Sequence, residues 1–149
     1  MPASGIINVN DKKKEEIYIL ELFRDRYENF PKGKLIPGES PDFILSLGPR
    51  KKIGLELTRL HQQSPGKDPF SFENISACLQ QKEDKLILYR RKNLQAYWLI
   101  LTIVDPAYKP RYNLYNKLIA WDFNTSYNEI FLFNTLSGDV FMLNRRHKG

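Results

Sequence analysis

Apolar and polar residues alternate most regularly between residues 41 and 58, in two short runs separated by a Gly-Pro-Arg turn. The apolar positions of the two runs mirror one another, with Phe43, Leu45 and Leu47 matched to Ile53, Leu55 and Leu57. This period of two predicts a β-hairpin centred on Arg50. Because strand side chains alternate between the faces of a sheet, Asp42, Glu56 and Thr58 share one face. We expect Asp42 to lie opposite Thr58 and diagonal to Glu56.

Apolar residues recur at helical spacing in two longer segments. One predicted helix covers residues 11–27, and the second runs from residue 71 or 72 to about residue 92. Their apolar stripes are Ile17, Leu20, Phe23 and Tyr27 in the first helix and Ile75, Leu79, Leu86 and Tyr89 in the second. Residues 95–104 are almost continuously apolar, which is typical of a central strand covered on both faces. Weaker patterns predict an extended piece at 33–37, a short helix at 113–121 and a closing hairpin at 129–143.

The composition predicts one folded domain spanning residues 1–149, since 42% of the residues are hydrophobic and 13% are aromatic. The net charge of +6 favours a polyanionic partner such as nucleic acid, although an excess of lysine also serves solubility. Cys78 is the only cysteine, so an internal disulfide and a Cys/His zinc motif are excluded and a reducing cytoplasmic setting is expected. No signal-peptide pattern opens the chain, and the longest apolar run is too short to span a bilayer, so we expect no membrane association.

Two carboxylates on one face, those of Asp42 and Glu56, are the main chemical signal. Acids a few ångströms apart repel one another, so such a pair either raises one pKa or binds a cation, and hard oxygen donors suit Mg²⁺ or Mn²⁺. The plain alternative is that turn chemistry explains the Ser-Pro-Asp sequence and that Glu56 faces water. Lys82 interrupts the apolar stripe of the second helix, which indicates either a snorkelling lysine or an amine that reaches these acids.

The order helix, short strand, Pro-Asp strand, Glu-x-Thr strand, helix and central strand resembles the PD-(D/E)xK phosphodiesterase superfamily over residues 11–105. The resemblance implies an α/β, restriction-endonuclease-like fold with an αβββαβ core, a mixed central sheet flanked by helices, and here a C-terminal β-hairpin extension. It also implies that Asp42 and Glu56, with the peptide carbonyl of Leu57, bind Mg²⁺ or Mn²⁺. An acid on the first helix often completes such a site. Glu16 is preferred to Glu15 because it directly precedes the apolar stripe.

The chain departs from the family pattern at Thr58, which occupies the position of the motif lysine. That lysine helps to orient the attacking water and offsets negative charge, so its absence either disables hydrolysis or requires an amine from elsewhere. Lys82 is the candidate substitute, because helix-borne replacements occur in the superfamily and the second helix is expected to pack beside the hairpin. Lys85, one turn further along, is the alternative amine.

The resemblance implies a metal-dependent nuclease that hydrolyses phosphodiester bonds. Basic residues that could contact the nucleic-acid backbone are Arg50, Lys51, Lys85, Arg90 and Arg91, although solvated charge is the more ordinary role for each. One alternative is a catalytically inactive nuclease-fold module that binds nucleic acid or protein, which Thr58 favours. Another is an interaction protein of the immunity or antitoxin type with a contact patch at Tyr108, Tyr112 and Tyr115. The choice between DNA and RNA stays open, as does a homodimer for cutting both strands.

Overall fold

A seven-stranded mixed sheet organises the chain. The computed structural model describes residues 9–39, 41–61, 69–89, 94–103 and 112–147. The elements in chain order are α1 (Val9–Arg26), β1 (Lys34–Pro37), β2 (Phe43–Gly48), β3 (Lys51–Arg59), α2 (Phe72–Tyr89), β4 (Ala96–Ile103), α3 (Tyr112–Ala120), β5 (Asp122–Thr125), β6 (Glu129–Asn134) and β7 (Val140–His147). The strand order is β1-β2-β3-β4-β6-β7-β5. The protein is therefore an α/β protein with a mixed sheet flanked by helices, as the sequence predicts.

The two long helices pack on opposite faces of the sheet. Leu20 and Phe23 of α1 are fully buried in one core, together with the odd-numbered apolar residues of β2 and β3. The predicted stripe of α2 is confirmed at Ile75, Leu79 and Leu86, which are buried in the other core, while the side chain of its fourth member, Tyr89, lies outside the described residues. β4 lies between β3 and β6 and contributes alternate residues to both cores, so the prediction of a central strand is also confirmed.

The hairpin of β2 and β3 has the predicted faces but a different register. Phe43 pairs with Leu55 and Leu45 with Ile53, and the register shifts at an irregularity between Ser46 and Gly48, beside the turn. The prediction that Asp42 lies opposite Thr58 is therefore wrong by two residues, because the observed register brings Asp42 opposite Glu56 when it is continued beyond Phe43. A shift of two residues leaves every side chain on its predicted face, since the strand period is two.

The C-terminal part of the sheet also differs from the expectation. β6 and β7 form the predicted antiparallel hairpin, but β6 pairs in parallel with β4, so the hairpin continues the central sheet and is not an appended extension. Gly138 supplies the turn with a positive φ of 82°, a conformation that glycine adopts most easily. β5, which the sequence patterns did not predict, pairs in parallel with β7 at the sheet edge. Among the described residues, no helix combines the length and apolar character needed to cross a membrane.

Candidate active site

Asp42 is held against β3 by the packing of the residue before it. Pro41 is buried, and a Cβ on Gly54 would lie only 3.0 Å from Pro41 Cγ, so glycine at position 54 allows this close approach. Asp42 Oδ2 accepts a hydrogen bond of 2.9 Å from the backbone N–H of Leu57. The Pro-Asp sequence therefore fixes a carboxylate beside the strand that carries Glu56.

Glu56 lies in the interior of the sheet. It pairs with Leu99 across β3 and β4, and only 4% of its surface is exposed. A buried carboxylate is costly unless nearby charges or hydrogen bonds compensate it. Glu56 occupies the even-numbered phase of β3, opposite to the residues that pack on α1, so it faces the side on which α2 lies.

Lys82 of α2 is the cation on that side. Burial lowers the pKa of Lys82 from its ordinary value, while the carboxylate of Glu56 opposes this effect; the charge of Lys85 lowers the pKa further and Asp42 opposes it. These mutual influences mean that the ammonium group lies within electrostatic range of both carboxylates. That a lysine of the second helix serves these acids in catalysis stays a prediction.

One cleft with a volume of about 600 Å³ brings most of the predicted residues together. The predicted residues that line it are Glu16, Asp42, Glu56, Leu57, Thr58, Lys82 and Lys85. They come from α1, β3, α2 and the segment before β2, which are far apart in sequence. The sequence could therefore indicate which residues are candidates for the site, but it could not give the distances between them.

The α1 side of the cleft contains residues that the sequence analysis either ranked second or missed. Glu15 lines the cleft as well as Glu16. Lys13 forms an ion pair of 2.9 Å with Glu16 Oε1 and donates a hydrogen bond of 2.6 Å to the carbonyl of Gly38. Glu39 also lines the cleft. The only available sequence signal was the three-residue spacing of Lys13 and Glu16, which places them on one helix face.

Four of the predicted basic residues lie elsewhere or outside the described chain. Arg50 and Lys51 are exposed at the hairpin turn, and Lys51 is five residues, or ~17 Å, along β3 from Glu56. Arg90 and Arg91 lie outside the described residues. The structure thus assembles the predicted catalytic set but does not bring the hairpin turn into the cleft. Tyr108 also lies outside the described residues, as do the side chains of Tyr112 and Tyr115.

The oxygen donors of the cleft fit a small hard cation. In the part of the chain that the structure describes, no group of three or more His, Cys, Asp or Glu side chains is arranged to hold a metal ion. Mg²⁺ commonly needs only one or two protein carboxylates, and its other ligands are water and substrate oxygens. The N–H of Leu57 points to Asp42, and the carbonyl of a strand residue points to the same side as its N–H, so a third oxygen is available there.

The arrangement combines two carboxylates, a backbone carbonyl and a partly buried amine in one open cleft. Such a set can bind a divalent cation and handle a proton beside it. Comparison with known proteins yields no match, either to a protein-family model or to a curated protein.

Proposed function

We propose that the protein is a metal-dependent nuclease of the PD-(D/E)xK type that uses Mg²⁺ or Mn²⁺ to hydrolyse phosphodiester bonds. The observation that carries the proposal is the convergence of Asp42, Glu56 and Lys82 on one cleft. The chain order α1-β1-β2-β3-α2-β4 agrees with the αβββαβ core of that superfamily and supports the proposal further.

Asp42 and Glu56 are the residues that would hold the metal ion, with the carbonyl of Leu57 as a neutral ligand. When bound, a divalent cation lowers the pKa of a water molecule and offsets negative charge on the phosphate oxygens. The hydrogen bond from Leu57 N–H to Asp42 keeps one carboxylate oriented before any ligand arrives. Preorganised groups of this kind lose little free energy to rearrangement during the reaction.

Lys82 takes the role of the missing motif lysine. Its ammonium group orients the attacking water, and the lowered pKa makes the neutral amine, which can accept a proton, more accessible than in an exposed lysine. Thr58 lines the same cleft and offers a hydroxyl group where the family has an ammonium. The amine therefore reaches the reaction from α2 instead of from β3.

The test is cleavage of plasmid DNA, single-stranded DNA and RNA by the purified protein with Mg²⁺ or Mn²⁺, and with EDTA. We expect metal-dependent cleavage of at least one substrate. Asp42→Asn or Glu56→Gln should each lower the rate by about a hundredfold or more, because even supporting residues of metal sites contribute ~10–100-fold. Asp84→Asn and Glu73→Gln are matched controls, since both acids are exposed on α2, and Glu73 and Asp84 are absent from the lining of the cleft. Cleavage that survives in the Asp42 and Glu56 variants, or its absence with all three substrates, would contradict the proposal.

A second candidate function is an inactive module that binds nucleic acid or protein through the same fold. The observation in its favour is that the Lys82 ammonium offsets part of the negative charge of Asp42 and Glu56 without a metal ion, while Thr58 replaces the motif lysine. Titration calorimetry with Mn²⁺ separates the two functions. Binding of Mn²⁺ that is lost in Glu56→Gln supports the nuclease, whereas salt-sensitive binding of nucleic acid without Mn²⁺ binding or cleavage supports the inactive module.

A further inference from the structure

The parts of β1, β2 and β3 that lead to the cleft carry positive charge and no acidic residue before Glu56. Residues 29–38 and 43–55 contain five charged side chains, all basic: Lys32, Lys34, Arg50, Lys51 and Lys52. The acids that flank these segments are Glu28, which is exposed just beyond α1, and Glu39, Asp42 and Glu56, which line the cleft. Charge is therefore segregated along this three-stranded ribbon, with a cationic end and an acidic end.

Two of these lysines project from the same face of the sheet as Glu56. Lys34 pairs with Ser46, and Ser46 pairs with Lys52, so the three residues form one row across β1, β2 and β3. Lys52 precedes Glu56 by four residues on the same strand, which keeps both side chains on one face. The row therefore lies ~13 Å from Glu56 at the usual rise of a strand, measured along β3.

This face is accessible over β1 and β2. The core beneath α2 includes no residue of β1 or β2 among the residues that the structure describes. Ile36, between the lysine row and the cleft, is 39% exposed, and its neighbours Ile44 and Ser46 are half-buried. The opposite face of the same strands is covered by α1, with Phe43 and Leu45 almost fully buried.

We propose that this surface, which we call the basic ribbon face (Lys34, Ile36, Ile44, Ser46 and Lys52), binds the backbone of the nucleic acid next to the phosphodiester that is cleaved. The proposal rests on the proposed function, because it takes Asp42 and Glu56 as the site of cleavage. Its basis is charge complementarity, since a polyanion whose scissile phosphate lies in the cleft continues over a surface that carries only cations. The distance of ~13 Å corresponds to about four base-pair rises of 3.4 Å.

The test measures binding in the Glu56→Gln background, so that no cleavage interferes. Affinity for fluorescent oligonucleotides of about 20 and about two nucleotides is measured by anisotropy between about 50 and 200 mM salt, a range over which phosphate contacts change affinity strongly. The test variant is Lys34→Gln with Lys52→Gln. The control is Lys14→Gln with Lys117→Gln, which changes the net charge equally at exposed positions on α1 and α3.

We expect the test pair to lower the slope of log affinity against log salt by about 2 for the longer oligonucleotide, about one unit per phosphate contact. At about 0.1 M salt this corresponds to about tenfold weaker binding per contact, since the electrostatic contribution vanishes near 1 M. The control pair should change the slope little. The shorter oligonucleotide should not distinguish the two pairs, because it is too short to extend from the cleft to the lysine row.

An unchanged slope in the test pair would overturn the proposal and leave Lys34 as a charge that protects an edge strand from aggregation. Equal losses in both pairs would overturn it as well, because they would reflect net charge alone. Lys34→Arg with Lys52→Arg should retain the slope; if the glutamine pair fails to fold, the single variants Lys34→Gln and Lys52→Gln carry the test, and each should lower the slope by about one unit. If the unmodified protein cleaves no substrate but the test pair still lowers the salt slope more than the control pair, the basic ribbon face is supported and the nuclease function is contradicted. Failure of the ribbon proposal and failure of the proposed function therefore give different results.

Discussion

The two faces of the sheet bury different kinds of side chain. The α1 face is an aromatic cluster in which the Phe23 ring lies 5.1 Å from Phe131 and 5.4 Å from Phe133, centroid to centroid. The α2 face also contains an aromatic cluster, formed by Phe72, Trp121 and Phe123, but it buries in addition two carboxylates, those of Glu56 and Glu83, each less than a tenth exposed. Apolar packing contributes stability directly, whereas buried charges contribute it only when their partners are in place. We infer that both faces supply stability through apolar packing and that the α2 face uses part of it to hold polar groups.

The two walls of the cleft differ in the same way, one carrying a surface ion pair and the other a partly buried charge. Its α1 wall carries Glu16, which is paired with Lys13 near the surface. Its α2 wall carries Lys82, whose pKa is lowered chiefly by burial. A perturbed amine beside buried acids is a common property of catalytic sites, whereas a surface ion pair contributes little. Under the proposed function, the reactive chemistry therefore belongs to the α2 side, and the variants below are chosen to break or sharpen this comparison.

The largest effect is expected from Phe23→Ala at the centre of the α1 face. Phe23 is fully buried, and its ring contacts the aromatic residues Tyr27, Phe30, Phe131 and Phe133. Truncation should lower the free energy of unfolding by about 3–5 kcal/mol. Urea denaturation measures the loss, and Tyr18→Ala is the control because Tyr18 is 69% exposed on the same helix. Comparable losses in the two variants would contradict the assignment of stability to the α1 core.

A smaller loss is expected from Thr125→Val on the α2 face. Glu83 accepts hydrogen bonds from the Thr125 hydroxyl and from the N–H of Ser126, which tie α2 to the end of β5. Valine keeps the shape but removes a donor from a buried carboxylate, which should cost about 1–3 kcal/mol. In the Glu83→Gln background the same substitution should cost less, because the acceptor is no longer charged. A double-mutant cycle in urea measures this coupling, and strictly additive losses would rule it out.

An effect of opposite sign is expected from Lys82→Met. Burial lowers the pKa of Lys82 more than its acidic neighbours raise it, so the charged lysine destabilises the folded state. Methionine should therefore raise the urea midpoint at neutral pH in EDTA while it removes nuclease activity. Lys85→Met, at an exposed position one turn further along, is the control and should change stability little. A lowered midpoint in Lys82→Met would mean that attraction to Glu56 and Asp42 exceeds the cost of burial.

Part of the α2 side of the site could be predicted from the sequence: which face of the sheet Glu56 takes, and the presence of a lysine on α2. The phase of the hairpin was predictable, because alternation determines which face each residue takes, but the register was not, because the irregularity between Ser46 and Gly48 leaves no mark in a pattern of period two. Lys82 stood out as a charge within an apolar stripe. In contrast, Glu39 gave no signal, and the spacing of Lys13 and Glu16 did not predict the hydrogen bond from Lys13 to the carbonyl of Gly38, because both features depend on how α1 docks against the segment before β2.

β5 was missed for a similar reason. Its four residues, Asp-Phe-Asn-Thr, have one large apolar side chain, and their strand conformation depends on pairing with β7, about twenty residues later in the chain. Phe123 and Thr125 are nevertheless fully buried, and Thr125 provides the hydroxyl that Glu83 requires. Short edge strands of this kind are specified by tertiary pairing more than by their own sequence.

The smallest effect is expected from the ionisation of Tyr27, whose ring belongs to the α1 aromatic cluster. Burial raises the pKa of Tyr27 above its ordinary 10.0, and the charge of Glu129 raises it further, against a hydrogen bond to Asn29 that lowers it. The unfolded chain therefore loses the tyrosine proton first as the pH rises. Tyr27 contributes stability that is fully present below pH 10 and is lost as the pH rises through the folded-state pKa.

Tyr27→Phe removes this dependence while it keeps the ring in the cluster. The difference in unfolding free energy between the unmodified protein and Tyr27→Phe should be constant from about pH 7 to 9 and should then move in favour of the variant, because an unperturbed tyrosine titrates near pH 10. Urea midpoints at several pH values measure it, and subtraction cancels the titration of the lysines. A flat difference for Tyr27→Phe would mean that Tyr27 is as hydrated as an exposed tyrosine, and the α1 face would then be less dry than its packing indicates.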